Sequence, residues 1–204
     1  MTPQHDLPGG AELLERFQTF RYSVFRLETL QVYAGSGEEE GIAPFHRGEP
    51  YTPDAAEAEY AGMVRTHRAA GKVWQRVHVV REPISDYMAY ELTWEYGPHV
   101  AAGEDIRIIA VTAGEWPADV PAAADFWLFD SHEVFGLGYD DAGRWLGTRR
   151  VTDPDVVVDA CFIRDAALHQ SIPWADYISC HSELIKRLPK AALAGGGGQP
   201  GAGH

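Results

Sequence analysis

The sequence predicts an α+β fold: a single domain with a mostly antiparallel sheet and helices packed against it. Three observations lead there. Helical and strand-like periodicities follow one another as helix, helix, strand, helix, strands, helices, an order that segregates the later strands instead of alternating them with helices. The run Phe126 to Phe129 is short and wholly apolar, as a strand buried on both faces requires. The turn Asp140–Asp141–Ala142–Gly143 joins two neighbouring strand-like runs as an antiparallel hairpin.

Each element has its own signal. Leu13, Phe17, Phe20, Val24 and Leu27 recur at spacings of four and three, which predicts an amphipathic helix over 11–27. The stretch 34–50, with Gly, Ser and the run Glu38, Glu39 and Glu40, reads as an exposed loop. Thr52 and Pro53 supply a cap and a first-turn proline for a helix bearing Tyr60, Met63, Val64 and His67, and Gly71 stops it. His67 is expected at the core edge. Val73 to Val80 is rich in β-branched residues and predicts a strand, and a helix from Ser85 to Tyr96 follows, ended by Gly97 and Pro98. Ile106 to Val111 and the alternating stretch 133–139 are further strands, with 144–151 closing the hairpin. Asp153 and Pro154 open a helix carrying Val157, Val158, Cys161, Phe162 and Leu168. Pro173 opens the last, with Trp174, Tyr177, Ile178, His181, Ile185 and Leu188 as its stripe.

The 204 residues suit one core, here 10–188, between a flexible arm (1–9) and a Gly/Ala/Pro-rich tail (189–204). An apolar fraction of 45% and six tryptophans support a packed globule. Seventeen basic against thirty acidic residues give a net charge of −13, which repels phosphodiester backbones and anionic lipid and favours a basic protein partner. Direct nucleic-acid binding and membrane binding are therefore disfavoured. Cys161 and Cys180 lack the spacing of a redox pair or zinc knuckle, and the N-terminus lacks a signal-peptide pattern. A cytoplasmic protein is expected.

Candidate chemistry centres on Glu91. On a regular helix it stands among Tyr87, Tyr90 and Trp94, where burial raises a carboxyl pKa and a neighbouring arginine lowers it. Arg76 and His78 share a strand face with Trp74, and Arg107 lies mid-strand between Ile106 and Ile108. Arg76, His78, Tyr87, Glu91, Trp94 and Arg107 are thus candidate binding residues, with Arg76 and Arg107 able to fork onto an anion. The structural alternative is an internal ion-pair network using Arg26, Glu28, Glu104 and Asp105. Asp130, Ser131 and His132 are too close along one strand to form a triad. Cys161, His169, Cys180 and His181 show no metal-ligand spacing, and Gly136, Gly138 and Gly143 lead into a hairpin and not a helix N-terminus. No catalytic residue, metal or cofactor is expected.

A set of short motifs adds a family-level expectation. They are Arg26-Leu27-Glu28-Thr29-Leu30 with Tyr33, Gly48-Glu49-Pro50, Trp74 with Arg76-Val77, Pro83 with Asp86-Tyr87, Gly103-Glu104-Asp105-Ile106-Arg107, and the run Asp125 to Asp130. Together they resemble an uncharacterised actinobacterial family whose members are often encoded beside helix-turn-helix regulators. The resemblance spans about 11–180 and implies no activity or catalytic residues. It implies a regulatory partner, and the acidic balance suits docking onto a basic helix-turn-helix transcription regulator. The expectation is a non-enzymatic cytoplasmic module that binds such a protein, with Trp94, Trp116 or Trp145 as aromatic anchors. The alternative is a small-molecule binder or hydrolase-type enzyme built around Glu91, Arg76 and Arg107.

Overall fold

A computed structural model describes residues 8–34, 38–112, 114 and 116–189. Residues 1–7 of the expected arm and 190–204 of the expected tail lie outside the described residues. Pro8 lies against the sheet, its carbonyl accepting from the Thr148 amide at 2.8 Å.

The elements are α1 (Gly10–Thr19), β1 (Ser23–Glu28), α2 (Glu38–His46), α3 (Ala55–Ala69), β2 (Val73–Arg81), α4 (Asp86–Tyr90), a π-helical turn (Glu91–Glu95), α5 (Tyr96–Ala102) and β3 (Asp105–Val111). They continue with β4 (Phe126–Phe129), β5 (Glu133–Tyr139), β6 (Trp145–Val151), α6 (Pro154–Gln170), β7 (Ile172–Pro173), α7 (Trp174–Ser179) and α8 (Ser182–Ile185). One sheet runs in the order β6-β5-β4-β1-β2-β3-β7. The pairs β1–β2 and β2–β3 are parallel and the other four antiparallel, so the mostly antiparallel α+β domain is observed.

Four local expectations are corrected. The first helix ends at Thr19 because Phe20 turns extended (φ −63°, ψ 153°), and Val24 and Leu27 belong to β1. Their helical spacing is coincidental. The stretch expected as a loop contains α2, held by Phe45, which is buried edge-on against Tyr90 and Trp94. The cap of α3 is Asp54, whose carboxylate accepts the Glu57 amide at 2.8 Å, in place of Thr52. Gly97 and Pro98 do not end their helix. Pro98 lies inside the uninterrupted helical run 86–102, just after the π-helical turn, and Gly103 (φ 106°) makes the stop.

Other signals hold. Asp153 caps α6 through the Asp155 amide, with Pro154 in its first turn. In the β5–β6 turn, Asp140 accepts the Ala142 and Arg144 amides at 2.9 Å each, and Gly143 adopts φ 77° with the Val32 carbonyl so close that a Cβ would meet it at 2.3 Å. His67 stacks on Trp74 at the core edge.

Two layers cover the sheet. On one face α6 packs Val157, Ala160 and Ala167 over Phe25, Leu27, Val77, Val79, Ile109, Phe126 and Leu128. Its 17 residues carry the chain from β6 at one edge of the sheet back to β7 at the other. The other face carries two clusters. Leu13, Phe17, Phe20 and Val64 close over Trp74, Trp127 and Phe129, while Met88, Leu92, Trp174 and Tyr177 close over Val80, Ile106 and Ile108. Between these two apolar clusters the same face carries charge.

Candidate functional site

The charge follows from register. In β1 the residues facing this layer are Val24, Arg26 and Glu28, and their parallel partners on β2 are Trp74, Arg76 and His78. Arg26 therefore lies beside Arg76, and Glu28 beside His78. All four are buried, and so are Glu91, Glu104 and Asp125.

Arg76 organises the centre. Its Nη1 donates to both Glu28 oxygens at 2.9 Å, its Nε to Glu104 at 2.9 Å and its Nη2 to the Tyr60 hydroxyl at 3.1 Å. Arg26 reaches Glu28 at 3.3 Å, Asp125 at 3.0 Å and the Tyr139 hydroxyl at 3.3 Å. Asp125 in turn accepts from the Thr29 amide and hydroxyl and from Tyr33. Burial alone would raise the Glu28 pKa; the guanidinium of Arg76, then that of Arg26, reverse this and hold it well below the usual carboxylate range. Both cation faces are covered by rings, Arg26 by Trp127 and Arg76 by Tyr96 and Trp127.

The helical segment above brings in Glu91 and Tyr96. In an α-helix Glu91 would share its face with Tyr87 and Trp94, as the sequence spacing suggests. The π-helical turn instead places the Tyr96 amide on the Glu91 carbonyl, bringing the residue five positions later onto the Glu91 side. Tyr96 then donates to Glu28 Oε2 at 2.6 Å and lies 2.7 Å from His78 Nδ1. The other ring nitrogen, Nε2, is 2.7 Å from the Leu30 carbonyl, which can only accept, so Nε2 carries hydrogen. Burial pushes the His78 pKa down, with Glu28 opposing. Ligand atoms of Glu28, His78 and Glu91 all lie within 4.8 Å of one another.

Of the candidate binding residues, Arg76, His78 and Glu91 come together here. Trp94 packs instead with Phe45, Tyr51 and Tyr90, and Tyr87 neighbours Tyr90. Arg107 pairs in register with Val77, so it points to the opposite sheet face from Arg76 and bonds Ser171 at 2.9 Å through side chain and carbonyl. The two arginines do not converge on one anion. Among the ion-pair candidates, Arg26 and Glu28 pair and Glu104 pairs with Arg76, while Asp105 lies at the surface, 4.0 Å from Arg107. Asp125, Tyr60 and Tyr96 complete the cluster beyond the sequence-derived candidate site: Tyr96 stands five residues after Glu91, off the helical three-and-four spacing, and Asp125 precedes the strand it serves. Asp130 accepts the Arg21, Tyr22 and Ser23 amides and pairs with Arg16, while Ser131 and His132 are exposed.

Chemically, the cluster is an internal network that ties β1, β2, the helical segment and the start of β3 into one unit. Two shallow grooves of about 430 and 420 Å³ open on the described surface, and neither is lined by a cluster residue. No helix among the described residues is long and apolar enough to cross a membrane. A search of curated proteins finds no match. The model of a family described as a domain of unknown function, DUF6879, matches residues 11–179, and the chain belongs to that family.

Proposed function

We propose that this protein is a non-enzymatic regulatory module that binds another protein through the outer face of α6, and that its partner is a basic helix-turn-helix transcription regulator. The observation that carries this reading is the composition of that face. Val158 is 65% exposed and Phe162 60%, one helical turn apart, and the exposed carboxylates of Asp155, Asp159 and Asp165 flank them. The groove beside them is lined by Asp119, Val120, Pro121, Asp159, Phe162 and Ile163. An apolar pair rimmed by carboxylates matches a cationic amphipathic segment, and the net charge of −13 steers such a partner toward it.

The anchors differ from those the sequence suggested. Trp94 is buried, Trp116 stacks under Arg81 and donates to the Val120 carbonyl, and Trp145 is half-buried. Phe162 and Val158 take that role. The enzymatic alternative has less support, since its arginines lie on opposite faces and the surroundings of Glu91 are packed with the network. The actinobacterial and cytoplasmic setting expected from the sequence suits a transcriptional role. Fluorescence-anisotropy titration against a basic helix-turn-helix regulator of the kind the resemblance implies tests the reading: micromolar or tighter binding that weakens with salt is expected, and no saturable binding at low salt with a folded regulator would refute it.

A further inference from the structure

The groove beside α6 has a second wall that the helix does not make. The segment joining β3 to β4 supplies Asp119, Val120 and Pro121, and α6 supplies Asp159, Phe162 and Ile163. Three contacts fix that segment. The Trp116 indole donates to the Val120 carbonyl at 2.6 Å, the Arg81 guanidinium lies 4.7 Å from the Trp116 ring centre, and Gln170, the last residue of α6, donates to the Ala118 carbonyl at 2.7 Å. Asp119 stands between the two anchored carbonyls in the left-handed region (φ 60°), a conformation that costs a non-glycine residue and persists where its surroundings impose it. A wall held in this way keeps its shape before any partner arrives, so less ordering is lost on binding.

Charge and surface define what fits. None of the lining residues is basic, and the exposed carboxylates of Asp119 and Asp159 meet no donor among the described residues. Elsewhere Asp125, Asp130, Asp140 and Asp153 each accept at least two hydrogen bonds. We infer that this groove is a subsite for one arginine side chain of the partner, its stem on Val120, Pro121 and Ile163, its guanidinium over the Phe162 ring and between Asp119 and Asp159. The inference rests on the α6 reading and narrows it to one residue type. A guanidinium is flat and weakly hydrated, so it stacks on a ring while forking onto a carboxylate; a lysine ammonium is a strongly hydrated point charge that an apolar floor strips of water at a loss. Val158, one turn before Phe162, then meets an apolar neighbour of that arginine.

The test titrates the isotope-labelled full chain with Nα-acetyl-argininamide or Nα-acetyl-lysinamide at matched ionic strength, following backbone amides by nuclear magnetic resonance. The arginine probe is expected to shift Val120, Phe162 and Ile163 saturably in the millimolar range, at least about twofold more tightly than the lysine probe. Asp119→Asn, whose side chain tolerates the left-handed region, and Asp159→Asn are each expected to weaken it at least about twofold with an unchanged circular dichroism spectrum. Should a variant not fold, the wild-type chain decides through the arginine-to-lysine ratio and the location of the shifts. No saturable shift, equal affinity for both probes, or shifts confined to other surfaces would overturn the subsite. Groove signals that move on dilution of the protein alone would assign the face to a second copy and overturn it as well. The two readings fail separately: a regulator that binds while the arginine probe leaves the groove unmoved sinks the subsite alone, and a groove that takes the probe while no regulator binds sinks the regulator alone.

Discussion

Replacing Arg76 with methionine is the most informative single perturbation of the network. The change keeps an unbranched, apolar stem of similar reach but removes the donors that meet both Glu28 oxygens, Glu104 and Tyr60 at 2.9–3.1 Å. Glu28 is then left with Arg26 at 3.3 Å and the Tyr96 hydroxyl at 2.6 Å, and Glu104 with the Tyr60 hydroxyl at 3.1 Å. Removing one partner of a buried ion pair costs about 3–5 kcal/mol, because the other charge stays desolvated. Against a typical domain stability of about 5–15 kcal/mol, that is roughly a fifth or more of the whole. Urea denaturation followed by tryptophan fluorescence measures it, with Arg107→Met as control; Arg107 bonds Ser171 and pairs at 4.0 Å with the exposed Asp105, and its loss is expected to cost under about 1.5 kcal/mol. The penalty should also depend on pH. Arg76 is the foremost influence holding the Glu28 pKa low, so the stability it lends through Glu28 is present at neutral pH and is lost as pH falls through the carboxylate range; the penalty is therefore largest near pH 7 and shrinks in acid. A cost below about 1 kcal/mol, or one equal to that of Arg107→Met, would refute the reasoning.

Other outcomes follow from the same geometry. His99 is held at a pKa of about 3, by burial first and Arg76 second, against 6.5 when unfolded. A base whose folded pKa is depressed contributes stability that is complete above pH 6.5 and lost as pH falls toward 3. Over that window the loss is at most on the order of 4–5 kcal/mol, and His99→Phe should flatten it in denaturation curves taken at pH 7, 5 and 4. Glu57 is raised to about 7, chiefly by burial, with Glu95 and Asp54 adding to it and Tyr51 opposing. Here the folded pKa exceeds the unfolded one, so stability is greatest below pH 4.5 and falls as pH rises through 7; Glu57→Gln should raise the melting temperature at pH 8 and leave it unchanged at pH 4. Asp130→Asn loses an ionised acceptor shared by three backbone amides and Arg16, which should cost about 1–3 kcal/mol by the same denaturation assay.

Much of the fold could be read locally, because its signals lie within a few residues. Asp153–Pro154 at α6, the DDAG turn with Gly143, and the apolar run of β4 each encode their own geometry. What escaped was set at a distance. Val24 and Leu27 fit a helix by spacing, yet pairing with Trp74, Val77 and β4 makes them strand. Phe45 folds α2 by packing on Tyr90 and Trp94, an event invisible in its acidic surroundings. The cluster was half legible: Arg76, His78 and Glu91 stood out as polar residues among apolar ones. Their union with Glu28 rests on the parallel register of β1 with β2, and that with Tyr96 on a π-helical turn that breaks the expected three-and-four spacing. Arg107 failed to join them for a simple reason, since one residue of register separates the two faces of a strand.

The proposed docking surface is the outer face of α6, away from the buried charges, and Phe162→Asp examines that proposal most directly. At 60% exposure the substitution should leave folding stability within about 0.5 kcal/mol. Titrated against the helix-turn-helix regulator proposed as partner, the variant should bind at least about tenfold more weakly than wild type, with the same circular dichroism spectrum. Wild-type affinity in that variant would contradict the account.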